Sequence, residues 1–205
     1  MRIEYRVFPM LPTNIFFADI EKVIAEFGDA DRPRLRKMIE ELSRIAERVP
    51  RTADRCYSYQ ARLYAKLQEY ELALAAVEKA LQLMPMDDNL IILRGDIHRE
   101  AQEYSQALKD YSDVLADHPE AVTARMRRAE MRQANGDYAE ALQDINAALK
   151  HEPRSLRLLY RRALILIDLR RAADAMADLR NVARLSQDAD LKKKAEQRLR
   201  ELGER

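Results

Sequence analysis

The sequence contains very little glycine and proline, with 4 Gly and 7 Pro among 205 residues. An all-β protein needs many tight turns, and this scarcity therefore excludes a fold built from numerous short strands. The single cysteine, Cys56, cannot form an internal disulfide, which is typical of a protein kept in a reducing compartment.

Long apolar runs are also missing. The most apolar segment, LLYRRALILIDL, is interrupted by Arg161, Arg162 and Asp168, and a helix needs about 20 apolar residues to cross a bilayer. The N-terminal residues MRIEYRVFPMLP carry charges where a signal peptide would have its apolar core. We therefore expect a soluble, cytoplasmic protein without membrane insertion.

The chain has no excess of charge of either sign, because 36 Lys and Arg face 35 Asp and Glu for a net charge of +1. Nucleic-acid binding depends on a basic field that releases counterions, and an anionic membrane surface makes a similar demand. The balance predicts neither nucleic acid nor membrane surface as a partner.

Motifs for catalysis are absent from the sequence. The three histidines, His98, His118 and His151, belong to no His-Glu-x-x-His pattern, and Cys56 has no second cysteine with which to form a metal-ligand pair. The four glycines are scattered, so no glycine-rich phosphate loop can form. We expect no metal, no cofactor and no enzymatic activity.

A short phrase returns three times along the chain. Its copies, QEYELAL, QEYSQAL and GDYAEAL, place Tyr70, Tyr104 and Tyr138 34 residues apart. A fixed period of this length is the signature of a helical repeat protein.

Blocks of 34 residues that begin at Asp54, Asp88, Val122 and Leu156 align further columns. Small residues at the eighth and twentieth positions allow two helices to approach closely, and a proline near the end stops the second helix. Each block is therefore predicted to form a helix–turn–helix hairpin that stacks on its neighbours. The columns read Ala61, Gly95, Ala129, Ala163; Ala73, Ala107, Ala141, Ala175; Ala80, Val114, Ala148, Val182; and Pro85, Pro119, Pro153.

These columns resemble the tetratricopeptide repeat family, over about residues 54–187. The resemblance implies an all-α fold, a right-handed superhelical solenoid of antiparallel helix pairs. Departures occur at Arg125, where the third block lacks its usual large apolar residue, and at Ala172 and Gln187 in the fourth.

The predicted organisation has seven parts. Residues 14–53 form a helical hairpin that is either a degenerate repeat or a separate element, with Asn14 capping its first helix, Gly28 ending it, and Asp31 and Pro33 starting its second. Gly136 and Asp137 are predicted to end one helix and cap the next. The parts are 1–13, an arm that is a weak strand or disordered; 14–53; four repeats at 54–87, 88–121, 122–155 and 156–189; and 190–205, a capping helix with an apolar stripe of Leu191, Ala195, Leu199 and Leu202.

The resemblance implies that the first helix of each repeat lines a concave groove. Arginine can hold a carboxylate by two hydrogen bonds, and tyrosine adds rigid contact area. We therefore predict a non-catalytic scaffold that binds a peptide segment of a partner protein, with preference for acidic segments. The predicted groove residues are Arg55, Tyr59, Arg62, Lys66, Asn89, Arg99, Arg127, Arg157, Tyr160 and Arg161.

Two alternatives remain open at this point. Neighbouring carboxylates, namely Asp96, Glu100, Glu130 and Asp168, could neutralise the groove arginines and leave no acidic preference. The chain could instead be a self-assembling subunit or an adaptor of a larger complex that uses its terminal helices or convex face, which would make it a homo-oligomer. Separately, the arginines at the seventh position are expected to bridge helices rather than to contact ligand; they are Arg94, Arg128 and Arg162.

Overall fold

The computed structural model describes residues 13–26, 28 and 31–203, and the predicted N-terminal arm, apart from Thr13, lies outside these residues. Within them the chain forms eleven α-helices and one short 3-10 helix, Pro50–Thr52, and no strand. The helices are α1 Thr13–Ala25, α2 Arg32–Arg48, α3 Ala53–Lys66, α4 Tyr70–Leu83, α5 Asp88–Glu100, α6 Tyr104–Asp117, α7 Val122–Asn135, α8 Tyr138–His151, α9 Leu156–Asp168, α10 Ala172–Leu185 and α11 Ala189–Glu201.

The chain divides into two compact units, the first ending at Glu103 and the second beginning at Tyr104. In the first unit α3 packs against α2, α4, α5 and α1. In the second unit each helix from α6 to α11 packs against the next one along the chain. Antiparallel helix pairs are therefore the building element within each unit, as the period predicts.

The small residues of the repeat columns lie where helices approach most closely. In the second unit Ala129, Ala141 and Ala148 are fully buried with Ile145 in one cluster. In the first unit Ala61 and Ala73 are equally buried. A larger side chain at these positions would have to displace its neighbours, and the predicted role of the column is confirmed.

The last helix covers the end of the second unit. Ala195 of α11 is fully buried against α9 and α10, while Leu191, Leu199 and Leu202 are partly buried around it. The remaining face of α11 is polar and exposed, as a terminal helix requires.

Helix ends differ from the prediction in three places. Asn14 lies inside α1, which begins one residue earlier, so it is not the cap. Asp31 and Asp137 occupy N-cap positions but form no side-chain cap, because Asp31 accepts from Gly28 N at 3.1 Å and Asp137 accepts from Asn135 Nδ2 at 2.7 Å. Caps with side-chain hydrogen bonds are instead Asp87 before α5 and Asp188 before α11.

Candidate functional site

The predicted groove residues all lie on helices, but they fall in both compact units. Four of them lie on α3 and two on α5 of the first unit, and the other four lie on α7 and α9 of the second. Each unit therefore presents its own set of side chains.

In the first unit, helix α1 covers the side of α3 that carries predicted groove residues. The ring of Phe17 stacks on Tyr59 with centroids 5.0 Å apart and an interplanar angle of 18°. The guanidinium of Arg55 lies 4.1 Å from the centre of the Phe17 ring, on its face. Tyr59 is consequently buried, and its ring already has an aromatic partner.

A carboxylate of α1 completes this contact. Arg62 donates from Nη1 to Glu21 Oε1 at 2.6 Å and from Nη2 to Oε2 at 2.9 Å, and the Tyr59 hydroxyl donates to Oε1 at 2.9 Å. The hydrogen bond from Arg62 is the main cause that lowers the pKa of Glu21 below its usual value, while partial burial opposes it. Arg62 and Tyr59 thus perform the predicted carboxylate recognition, but on their own chain.

The lowered pKa of Glu21 predicts a specific pH dependence. A carboxyl group with a depressed folded-state pKa stabilises the fold above its ordinary pKa, and that contribution is lost as the pH falls through the folded value. We expect the difference in unfolding free energy between wild type and Glu21→Gln to be constant near neutral pH. It should shrink below about pH 4.5, the ordinary glutamate value. Urea denaturation of both proteins across this range measures it, and a difference that is independent of pH would contradict the role of the charge.

The other predicted residues of the first unit have little in common. Lys66 and the side chain of Asn89 are exposed. Arg99 lies beside Asp96 at 3.7 Å and Glu100 at 3.4 Å, both on its own helix. This arginine is neutralised in the way that the open alternative describes.

In the second unit a glutamate joins the two inner helices. Arg127 approaches Glu130 Oε2 at 3.2 Å on α7, and Arg161 of α9 approaches Oε1 of the same residue at 2.7 Å. One turn further along, Gln133 donates to Asp168 Oδ2 at 2.6 Å. The contacts bind α7 to α9 and reduce the positive charge of their shared face.

Arg157 and Tyr160 complete the predicted set on α9. Arg157 is exposed and makes neither an ion pair nor a hydrogen bond with any other residue that the structure describes. Tyr160 is partly buried with its hydroxyl beside Arg198 of α11. The pKa of Arg198 is raised, first by its hydrogen bond to Glu201 and, against the effect of burial, also by Tyr160.

Arginines at the seventh repeat position bridge helices, as predicted. Arg128 donates to both oxygens of Asp144 on α8, at 2.9 and 2.7 Å, and to Ser112 Oγ on α6 at 3.2 Å. Arg162 binds Asp178 and Asn146 in the same way, and Arg94 binds Glu78 on α4 at 2.7 Å. These side chains hold the helix layers together.

The aspartates that accept these bonds were missed by sequence reasoning. Asp110, Asp144 and Asp178 are buried, although carboxylates normally lie on the surface. A signal existed, since all three fall at the twenty-third position of their 34-residue blocks. Recurrence of an acid at a fixed repeat position, opposite a recurring arginine, points to a structural ion pair.

Asp144 collects more guanidinium groups than its counterparts. Arg132 donates from Nη1 to Asp144 Oδ2 at 2.8 Å, and Arg125 Nη1 lies 3.8 Å from Oδ1 while its Nε donates to Pro119 O. The unusual Arg125 of the third repeat therefore replaces an apolar contact with an ionic one.

Among the described residues there is no group of three or more His, Cys, Asp or Glu side chains that could hold a metal ion. Cys56 is buried, and burial raises the pKa of its thiol above the usual value, which disfavours the reactive thiolate. In the part of the chain that the structure describes, the helices are too short or too polar for any of them to traverse a lipid bilayer.

Comparison with protein families finds matches to models described as tetratricopeptide repeat. One model matches residues 92–144 and 132–190, and a second matches residues 55–85, so that together they span more than half of the chain. Among curated proteins, no sequence matches.

Solved structures with a similar fold are also tetratricopeptide repeat proteins or have a similar architecture. TTC0263, described as a thermophilic TPR protein in Thermus thermophilus, has a TM-score of 0.68 at 15% identity, covering 89% of this chain and 98% of that one. MamA from Desulfovibrio magneticus RS-1 has a TM-score of 0.64 at 15% identity, covering 86% and 97%. YrrB, described as a TPR protein with an unusual peptide-binding site, has a TM-score of 0.59 at 16% identity, covering 89% and 90%. At these identities the likeness shows the fold alone, and the predicted solenoid class is confirmed.

Proposed function

The chain belongs to the tetratricopeptide repeat family, and on that premise we propose that it is a non-catalytic scaffold that binds a peptide segment of a partner protein. The inner face of α7 and α9 in the second unit is the proposed contact surface. Acidic segments are the preferred ligands, and Arg157 and Arg161 bind their carboxylates.

One observation carries this proposal: α9 presents an arginine whose charge no described residue neutralises. Arg157 is exposed without an ion pair among the described residues, and Arg161 lies one turn away on the same helix face, 38% exposed beyond its contact with Glu130. Two guanidinium groups at this spacing suit a segment with a pair of carboxylates, because each can form two parallel hydrogen bonds. Tyr160 between them supplies apolar contact area.

The paired arginines support a preference rather than a strong affinity. Arg127 and Arg161 already contact Glu130, so a ligand carboxylate has to compete with that residue for Arg161. We expect a dissociation constant of about 1 μM, roughly −8 kcal/mol, for a short segment.

The test selects ligands from random peptides displayed on phage and measures the selected peptides by titration calorimetry. We expect enrichment of Asp and Glu, and a loss of about 1.5–3 kcal/mol in binding for Arg157→Ala. The double variant Arg157→Ala with Arg161→Ala should lose more. Replacing each ligand glutamate by glutamine should weaken binding to wild type much more than binding to the double variant.

Arg154→Ala is the matched control, because Arg154 is exposed in the turn before α9 and carries the same charge. It should bind selected peptides as wild type does. Peptides that show no acidic enrichment, or that bind all three proteins equally, would contradict the assignment of this face.

A further inference from the structure

Helix α1 lies ahead of the 34-residue repeats, yet it makes on α3 the contacts that a ligand was predicted to make. We propose that the α3 face of the first unit is a binding site for an amphipathic partner helix that carries an aromatic residue and a glutamate four positions apart. Helix α1 is the resident occupant, and a partner helix displaces it. This site is separate from the α7 and α9 residues on which the proposed function depends.

The recognition chemistry follows from two side chains of α1. Phe17 and Glu21 are four residues apart and therefore lie on the same face of their helix. The Phe17 ring is held between Tyr59 and the guanidinium of Arg55, at centroid distances of 5.0 and 4.1 Å. Because a cation over an aromatic face and an offset stack both depend on the ring, an aliphatic residue at this position would lose both contacts.

The glutamate is recognised by geometry as well as by charge. Its two oxygens accept two hydrogen bonds from Arg62, and Oε1 accepts a third from the Tyr59 hydroxyl. Aspartate is shorter by one methylene and cannot reach this fork from the same helix position. The site therefore selects glutamate over aspartate, whereas a purely electrostatic surface would accept either.

Two further positions of the occupant are apolar. Ile20 and Val23 of α1 are buried in the core that Leu35 and Leu63 also line. A replacement helix must supply apolar side chains there, three and six residues after its aromatic residue. The partner is thus an amphipathic helix with an aromatic residue, an aliphatic residue three positions later, glutamate next to it, and a second aliphatic residue two positions beyond.

Exchange of α1 is compatible with the rest of the first unit. Helix α3 keeps its packing against α2 and α4 when α1 leaves, since those contacts involve other faces of α3. The Arg62–Glu21 ion pair is also partly open to solvent, with side chains 33% and 47% exposed, so it contributes little that water and salt cannot replace. Tethering, however, gives α1 an effective concentration in the millimolar range, which weakens any partner that binds in competition.

The experiment uses the full chain and a fluorescein-labelled peptide with the sequence of residues 13–26, TNIFFADIEKVIAE. Fluorescence anisotropy is measured with wild type, with Glu21→Gln, and with Glu21→Gln combined with Arg62→Ala. We expect Glu21→Gln to bind the peptide at least about tenfold more tightly than wild type, because the tethered competitor is weakened. Adding Arg62→Ala should remove that gain, and a peptide with Asp in place of its Glu should bind poorly to every protein.

Hydrogen exchange of wild type provides the second measurement, which does not depend on a variant that folds. With the unlabelled peptide in excess, amides of α1 should exchange faster while those of α3 stay protected. Unchanged exchange in α1, or equal anisotropy for wild type and Glu21→Gln, would overturn the proposal. A mass that doubles with concentration for Glu21→Gln in light scattering would assign the site to a second copy of this chain and would overturn it as well.

Discussion

Replacement of Asp144 by alanine is expected to lower the free energy of unfolding by about 3–5 kcal/mol. The carboxylate is only 4% exposed and accepts hydrogen bonds from Arg128 and Arg132, with Arg125 close by. Its removal leaves three guanidinium groups, themselves mostly buried, facing one another without a counter-charge. Thermal unfolding followed by circular dichroism should show a melting temperature lower by roughly 6–20 °C.

Two companion variants identify the cause. Asp113→Ala removes an exposed carboxylate from α6 and should change stability by less than about 0.5 kcal/mol. Adding Arg125→Leu and Arg132→Leu to Asp144→Ala introduces the residue type that the fourth repeat has at the same positions, Leu159 and Leu166. That triple variant should recover part of the loss, since fewer unpaired charges remain. If Asp144→Ala melted like wild type, the arginines would be satisfied without the carboxylate.

The helices and their close contacts could be predicted from the sequence because both follow from local rules. A period of 34 residues places small residues at fixed positions, and Ala129, Ala141 and Ala148 are buried where the period puts them. Arg128 and Arg162 bridge helices because every repeat brings their position opposite the same position of its partner helix. Structure that repeats along the chain is readable from one sequence.

The state of the predicted groove residues could not be read in this way. Arg62 is engaged by Glu21, which lies 41 residues earlier and outside the repeat frame, so no column of the alignment relates the two. The pairing of Arg161 with Glu130 depends on side-chain geometry between successive repeats, and the sequence left it as one of two alternatives. Charge balance at a surface is a property of the packed helices rather than of any one of them.

The turns inside the repeats show how far a single column of the alignment can be extended. Gly136 adopts φ +89°, and its counterparts 34 residues away in each direction, Gln102 and Arg170, adopt φ of 63° and 62°, as does Gln68 at 63°. Each turn closes with the same pair of hydrogen bonds, for example Gln102 N to Arg99 O and Glu103 N to His98 O. Three of the four repeats therefore place a side chain in a left-handed conformation that only glycine adopts without strain.

Substituting glycine at all three positions, Gln68→Gly, Gln102→Gly and Arg170→Gly, is expected to stabilise the protein. Relief of the left-handed strain exceeds the added entropy of the unfolded chain by roughly 0.5–1 kcal/mol at each site, or about 1.5–3 kcal/mol together. The melting temperature should rise by roughly 3–12 °C in circular dichroism. The converse change, Gly136→Ala, should cost about 1 kcal/mol through φ alone, because the added Cβ would meet no atom within 4 Å. Gln143→Gly, at an exposed position inside α8, should also cost about 1 kcal/mol, since glycine weakens a regular helix. A triple variant that melts below wild type would mean that the turn side chains stabilise the repeats by more than their backbone strain costs.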